Sequence, residues 1–118
     1  MSTLKLAVAG PGAFGTKHLD ALRAIDGVEV ISLVGRQIDK TREAAARHGI
    51  AHSTTDLAET LALPDLDAVI LCTPTQLHAA QAQACLRAGK HVQMEIPLAD
   101  SLTDAEAVVQ LQRQTGLV

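Results

Sequence analysis

The most constraining feature of this chain is a glycine-rich hexapeptide at positions 10–15, Gly-Pro-Gly-Ala-Phe-Gly. An apolar run that predicts a β-strand comes directly before it, and a helical pattern comes directly after it. The first glycine allows a tight turn, the second lets a ligand approach the backbone, and the third lets the helix pack closely. Backbone N–H groups at the start of that helix would face an anion, which predicts a site for a dinucleotide pyrophosphate. The alternative is a strand-to-helix turn without a ligand. The expected contacts are Gly10, Gly12, Ala13, Phe14 and Gly15.

A single arginine follows the second predicted strand, about 20 residues beyond the glycine segment. An NAD site usually carries Asp or Glu here, whose carboxylate binds the ribose hydroxyls and would repel the 2′-phosphate of NADP. Arg36 favours the phosphate, because its guanidinium can donate two parallel hydrogen bonds and stack on the adenine. Lys40 and Arg42 follow it and add positive charge. We therefore predict NADP as the cofactor; the alternative is that Arg36 is an ordinary surface arginine.

Strand-like and helical patterns alternate along the whole chain, which predicts βαβ units and a parallel sheet. The expected fold is a doubly wound α/β Rossmann domain that occupies residues 1–118. Leu117 and Val118 resemble the beginning of a sixth strand, so we expect a truncated final strand and the cofactor half of a two-domain enzyme. The predicted strands are Leu4–Ala9, Val28–Val34, Ile50–His52, Ala68–Cys72 and His91–Glu95. The predicted helices are Ala13–Ala24, Ile38–His48, one capped within 53–56 and running through Leu61, one from Pro74 to Gly89, and one from Asp100–Ser101 to Gly116 with a capping box at Thr103 and Glu106.

Composition narrows the class of protein. Apolar residues make up 47% of the chain and aromatic residues 1%, so the core must be aliphatic, as in a helix-covered parallel sheet. A net charge of −3 without a basic block argues against a nucleic-acid surface. With no leader and no apolar stretch of about 20 residues, we expect a cytoplasmic protein without membrane contact. Cys72 and Cys85 are expected to be reduced thiols. No metal site is expected, and we expect solvated or capping roles for His18, His48, His52 and His91.

Two further segments follow the fourth and fifth predicted strands, at the sheet edge where ligands bind. From the residues alone, Thr73 and Pro74 also suit an ordinary helix entry, and His78 a plain surface position. Glu95 has a structural alternative, in which it bonds local backbone. Pro97 is expected to shape its loop, and a cis bond is plausible there. The candidate cofactor contacts in these segments are Cys72, Thr73, Pro74, Leu77, His78, Glu95, Ile96 and Pro97.

These segments and the glycine loop resemble the Gfo/Idh/MocA family of oxidoreductases, whose cofactor domain carries T-P-x-x-x-H and then E-K-P. The first pattern is matched by Thr73, Pro74 and His78, and the second by Glu95 and Pro97. The resemblance covers the whole chain but only the N-terminal half of the family. It implies a nucleotide-binding Rossmann domain, with His78 and Glu95 near the nicotinamide and a separate substrate domain.

One position departs from the family pattern, because Ile96 stands where the family has a lysine that assists proton transfer. The run E-I-P-L-A-D-S at 95–101 resembles one branch of the family. That resemblance implies NADP-dependent oxidation of a small carboxylated cyclic hemiacetal to a lactone, in the breakdown of aromatic compounds. A hemiacetal hydroxyl is more acidic than a simple alcohol, so its oxidation demands less of a base. The catalytic residues are left unassigned.

We expect the chain to bind NADP without turnover by itself, and the whole enzyme to be a homo-oligomer. Three alternatives stay open: a non-catalytic nucleotide-binding or sensor module, a sugar or polyol dehydrogenase of the same family, and an oligomerising fragment that pairs through an open sheet edge.

Overall fold

A computed structural model describes residues 3–118 and alternates strands with helices from one end to the other. This alternation is the βαβ pattern that the sequence predicts. The strands are β1 (Leu4–Ala9), β2 (Val28–Val34), β3 (His52–Thr54), β4 (Ala68–Leu71) and β5 (His91–Met94). The helices are α1 (Ala13–Leu22), α2 (Ile38–Arg47), α3 (Leu57–Leu61), α4 (Thr75–Arg87) and α5 (Leu102–Thr115).

The five strands form one parallel sheet in the order β3-β2-β1-β4-β5. β2 and β3 lie on one side of β1, and β4 and β5 lie on the other. The direction in which strands are added therefore changes between β1 and β4, and a crevice opens between the ends of these two strands. Ala9 lies opposite both Val34 and Leu71, and Leu71 lies opposite Met94. Four strands therefore end at the same level, and the segments that follow them meet at one edge. The doubly wound fold is confirmed.

Apolar side chains cover both faces of the sheet. In β1, Leu6 and Val8 face a cluster that includes residues of α1 and α2, whereas Ala7 and Ala9 face a cluster that includes residues of α4 and α5. Such two-sided burial explains why the central strands read as continuous aliphatic runs. The helices are thereby held at fixed positions around the strand ends.

The third strand lies two residues later than predicted. Gly49 takes a positive φ of 69°, and the N–H of Ile50 donates to the carbonyl of Ala45, so this residue still closes α2. The strand therefore begins at His52. Asp56 caps α3 by accepting a hydrogen bond from the N–H of Ala58 at 3.0 Å.

The last helix begins just after Ser101, as predicted, but its N-cap lies two residues before the predicted capping box. Ser101 is its N-cap and accepts a hydrogen bond from the N–H of Asp104 at 3.2 Å. Thr103 and Glu106 consequently lie inside the helix, and the prediction of a box between them was wrong. The predicted end at Gly116 is confirmed, since its φ of 71° ends the helix.

The C-terminal residue is hydrogen-bonded to β5, although no sixth strand forms among the described residues. The N–H of Val92 donates to the carbonyl of Val118 at 2.9 Å, and the N–H of Val118 donates to Nδ1 of His91 at 3.0 Å. Both cysteines are free thiols, as predicted. Within residues 3–118, no helix combines the length and the apolar character needed to cross a membrane.

Candidate functional site

The glycine loop is held tightly between the ends of β1 and β4. The N–H of Gly10 donates to the carbonyl of Val34 at 2.8 Å, and Gly10 has a φ of 103°. A Cβ on Gly10 would lie 2.5 Å from the carbonyl oxygen of Cys72, and one on Gly15 would lie 1.7 Å from that of Gly10. These two glycines are therefore required by the contact between loop, helix and sheet.

Gly12 differs from its neighbours because the space beside it is open. A Cβ built there meets no atom within 4 Å, and its φ of −76° is accessible to any residue. The fold alone does not require glycine at this position. An open cradle that a side chain would fill is what a pyrophosphate needs in order to reach the backbone.

The N-terminus of α1 has no side-chain cap. Gly12 is the N-cap residue, and the first turn carries no acidic residue. The first intrahelical hydrogen bond runs from the N–H of Thr16 to the carbonyl of Gly12, so the N–H groups of Ala13, Phe14 and Gly15 are free of helical partners. Unsatisfied donors and the positive end of a helix dipole suit an anionic group.

Arg36 follows β2 and lines a groove that runs from the glycine loop along α2. Lys40 and Arg47 also line this groove, with Glu43 as the acidic member. Neither Arg36 nor Lys40 forms an ion pair within residues 3–118. Arg42 does not line this groove, whereas Arg47, which was not predicted, does. Within residues 3–118, the groove presents three cations without ion-pair partners, Arg36, Lys40 and Arg47, and it reaches the cradle at Gly12.

A cavity of about 320 Å³ joins the glycine loop to the segment after β4. Gly35 also has a close contact, since a Cβ there would lie 2.0 Å from Oγ1 of Thr41. The cavity thus brings together residues that are far apart in sequence. Its lining includes Gly10, Gly12, Arg36, Cys72, Thr73, Pro74, Leu77 and Gln81.

His78 is buried, with 1% of its surface exposed. Its Nδ1 lies 2.9 Å from the carbonyl oxygen of Pro97, and its Nε2 lies 2.8 Å from that of Thr73. The ring therefore connects the loop after β4 to the loop after β5, where the Ile96–Pro97 peptide is cis. The surface alternative for His78 was wrong, because this α4 position faces the two loops.

Glu95 pairs with a residue that the sequence did not single out. Nε2 of His18 lies 2.6 Å from Oε1 of Glu95, with 24% and 32% of the two side chains exposed. Cys72 lies beside them, and the potential ligand atoms of all three residues are within 4.8 Å of one another. Burial, and then the charge of Glu95, raise the pKa of Cys72 to about 11.

The geometry of this group favours a hydrogen-bonded pair next to a neutral thiol over a metal centre. Ligands at about 2.0–2.3 Å from a tetrahedral ion lie more than 3 Å apart, which exceeds the His18–Glu95 separation. The prediction of a solvated or capping His18 was wrong. His52 is likewise engaged, because its Nδ1 bonds the hydroxyl of the fully buried Ser32 at 2.8 Å.

Comparison with known proteins assigns the chain to a family. The family model described as "Oxidoreductase family, NAD-binding Rossmann fold" (Gfo/Idh/MocA) matches residues 4–118. The chain belongs to the Gfo/Idh/MocA family of oxidoreductases. It is a dinucleotide-binding Rossmann domain of that family, as the resemblance in the sequence implied.

One curated relative, 4-carboxy-2-hydroxymuconate-6-semialdehyde dehydrogenase from Sphingobium sp. strain SYK-6, is 61% identical over 115 residues, which cover 98% of this chain and 36% of the relative. Biliverdin reductase from Synechocystis sp. PCC 6803, solved with biliverdin and NADP+, superposes with a TM-score of 0.91 at 28% identity, covering 98% of this chain and 36% of that one. GenD2 from gentamicin A biosynthesis, solved with NAD, superposes with a TM-score of 0.94 at 30% identity, covering 100% of this chain and 34% of GenD2. The chain thus spans about a third of the length of these relatives.

The remaining predicted residues of this Gfo/Idh/MocA domain differ in how exposed they are and in whether they line the cavity. Phe14, at the start of α1, is 61% exposed, and Nζ of Lys17 lies 5.3 Å from the centre of its ring. Ile96 is 89% exposed and contributes no polar atom from its side chain. Ala13, Phe14, Ile96 and Pro97 lie outside the 320 Å³ cavity, and Glu95 lies at the half-buried pair with His18.

Proposed function

We propose that this domain binds NADP across the carboxyl edge of its sheet. The observation that carries the proposal is the position of Arg36, unpaired within residues 3–118 and lining the same groove as the open cradle at Gly12. A pyrophosphate at the N-terminus of α1 puts the adenosine half of a dinucleotide toward β2, where Arg36 and Lys40 meet its 2′-phosphate. The nicotinamide half then extends toward β4 and β5.

The adenosine half of the cofactor offers a direct test of this proposal. We expect 2′,5′-ADP to bind about 10–100-fold more tightly than 5′-AMP, because one charge-assisted contact contributes about 1.5–3 kcal/mol. Arg36→Ala should remove most of the difference, leaving only what Lys40 contributes. Arg42→Ala, which removes the same charge from a nearby position in α2 that does not line the groove, should preserve it. Equal affinities for the two nucleotides in the unsubstituted chain would contradict the assignment of NADP.

For the whole enzyme, we propose NADP-dependent oxidation of the cyclic hemiacetal of 4-carboxy-2-hydroxymuconate-6-semialdehyde to 2-pyrone-4,6-dicarboxylate. The support is the 61% identity to the Sphingobium dehydrogenase, which extends through the segment that carries Ile96. When bound, the nicotinamide ring supplies the hydride acceptor. This chain holds the cofactor through Gly12, the start of α1 and Arg36, while His78 fixes the two loops beside the nicotinamide half.

Turnover of the full-length protein tests the substrate assignment. We expect reduced nicotinamide to appear with the hemiacetal and NADP+, and not with sugars or polyols. Oxidation of a polyol or sugar at a comparable kcat/KM would favour the other dehydrogenases of the family. Nucleotide binding without turnover of any of these substrates would favour a sensor module.

A further inference from the structure

The His18–Glu95 pair connects α1 to the end of β5. The two residues are 77 positions apart in sequence, and the 2.6 Å contact between Nε2 and Oε1 joins them at the edge where the candidate site lies. The N–H of Glu95 also donates to the carbonyl of Leu71 at 3.0 Å, so the backbone of Glu95 is held against the end of β4. Both side chains keep part of their surface exposed, at 24% for His18 and 32% for Glu95. Solvent and small molecules can therefore reach the pair.

The contact determines which ring nitrogen of His18 is available. A carboxylate only accepts hydrogen bonds, so Nε2 must carry the proton, and Nδ1 of the neutral ring keeps its lone pair. Within residues 3–118, Nδ1 of His18 has no hydrogen-bond partner, and it is not among the buried atoms that lack one. His18 thus presents an open proton acceptor whose tautomer is set by Glu95.

The position of the pair matches the reacting half of a dinucleotide. Arg36 follows β2 and Glu95 follows β5, so the two lie on opposite sides of the glycine loop, which follows β1. A nucleotide with its 2′-phosphate at Arg36 and its pyrophosphate at α1 has its other nucleoside over β4 and β5. The pair lies on that side of the crevice.

Cys72, His78 and Ile96, which also lie near the pair, are not available as proton acceptors. Cys72 stays a neutral thiol, because burial and the adjacent Glu95 raise its pKa to about 11. His78 is buried with both ring nitrogens against carbonyl oxygens, so neither nitrogen can reach a substrate. The side chain of Ile96 has no ionisable atom. Among the described residues at this end of β4 and β5, the His18–Glu95 pair remains, and because Glu95 already accepts from Nε2 of His18, the open lone pair is that of Nδ1 of His18.

We propose that Nδ1 of His18 accepts the proton that leaves the substrate hydroxyl during dehydrogenation, directly or through one water, and that Glu95 stabilises the resulting imidazolium. This inference rests on the proposed oxidation of a hydroxyl-bearing carbon. The hydrogen on the reacting carbon is transferred with the C–H electron pair, as hydride, to the oxidised nicotinamide. The O–H electron pair forms the new C=O bond, and the proton stays on Nδ1 of His18 until it passes to water. A carboxylate that holds one ring nitrogen while the other accepts a proton is a recurrent arrangement in catalysis.

The tautomer can be measured in this chain by long-range ¹H–¹⁵N NMR correlation in the presence of saturating NADP+. We expect His18 to show a protonated Nε2 and an unprotonated Nδ1, and Glu95→Ala to remove that preference. His91 is an internal control, since its Nδ1 accepts from the N–H of Val118 and its tautomer should not change. A protonated Nδ1 on neutral His18 would overturn the proposal. So would Zn²⁺ that binds the chain through His18, Cys72 and Glu95 at micromolar concentration.

The full-length protein supplies the kinetic test. His18→Gln should lower kcat by a factor on the order of 10²–10⁴, the usual range for losing a general base, with the KM for NADP+ within about twofold of the unsubstituted enzyme. His91→Gln should leave both constants unchanged. An unchanged kcat in His18→Gln, with normal NADP+ binding, would refute the role of His18 and leave the proposed function of the domain intact. Failure of the unsubstituted domain to bind NADP+ would instead refute the proposed function.

Discussion

Alanine substitutions at Gly12 and Gly15 should have different effects, because the first residue is the N-cap of α1 and the second lies in the first turn of that helix. A Cβ on Gly12 meets nothing within 4 Å, whereas one on Gly15 would lie 1.7 Å from the carbonyl oxygen of Gly10. The first position is open for a ligand, and the second is filled by the protein. We therefore expect Gly12→Ala to impair nucleotide binding and Gly15→Ala to impair folding.

The magnitudes follow from these contacts. In Gly12→Ala, a poorer N-cap costs about 0.5–1 kcal/mol, and the stiffer unfolded chain returns about 0.4–1 kcal/mol, so the free energy of unfolding should change by less than about 1 kcal/mol. In Gly15→Ala, helix and loop must separate by more than an ångström, which should lower that free energy by about 3 kcal/mol. Losing close approach to the pyrophosphate in Gly12→Ala should weaken NADP+ binding about 10–100-fold.

Urea unfolding and calorimetric titration of NADP+ on both variants measure these two quantities. The reasoning predicts that Gly12→Ala keeps the unfolding midpoint of the unsubstituted chain and loses affinity, while Gly15→Ala unfolds at clearly lower urea. Undiminished NADP+ binding by Gly12→Ala would refute the assignment of the open cradle to a pyrophosphate. A comparable loss of stability in both variants would refute the distinction between them.

Three further predictions concern single side chains. Arg36→Glu should invert the nucleotide preference so that NAD+ binds more tightly than NADP+, because a carboxylate repels the 2′-phosphate and accepts from ribose hydroxyls; calorimetry of both nucleotides checks this, and retained NADP+ preference would contradict it. His78→Leu should lower the free energy of unfolding by about 1–3 kcal/mol, since it leaves unpaired whichever of the Thr73 and Pro97 carbonyls accepts the ring N–H, and a urea midpoint like that of the unsubstituted chain would refute the loop connection. Burial raises the pKa of Cys72 to about 11 and that of Cys85 to about 12, so both thiols should resist iodoacetamide near pH 8 in the folded chain, and rapid alkylation at pH 8 would contradict this. The contribution of the protonated thiols to the free energy of unfolding should be fully present below about pH 9 and should be lost as the pH rises through those pKa values.

Much of the fold could be predicted because its signals are local. The aliphatic runs, the glycine loop and the helix ends each lie within a few consecutive residues, and β2 was predicted with its observed bounds, Val28–Val34. The errors also have local causes. The third strand was misplaced because Ile50 looks like a strand residue, yet its N–H completes the end of α2.

The candidate site could be predicted only in part. Strand-end segments can be assigned to one edge from topology alone, which is why Arg36 and Thr73 were predicted to lie beside the glycine loop. The His18–Glu95 contact joins residues 77 positions apart on different elements, and nothing in the spacing of either residue indicates the other. The burial of His78 depends on the path of the loop at Pro97, which the sequence pattern did not specify.

The most direct test of the central proposal is calorimetric titration of NADP+ and NAD+ into the unsubstituted chain at low ionic strength. The arrangement of the Gly12 cradle and Arg36 predicts that both nucleotides bind at one site, with NADP+ about 10–100-fold tighter. Equal affinities, or tighter binding of NAD+, would contradict the assignment of Arg36 to the 2′-phosphate. No heat of binding from either nucleotide would contradict the proposal that this domain holds the cofactor by itself.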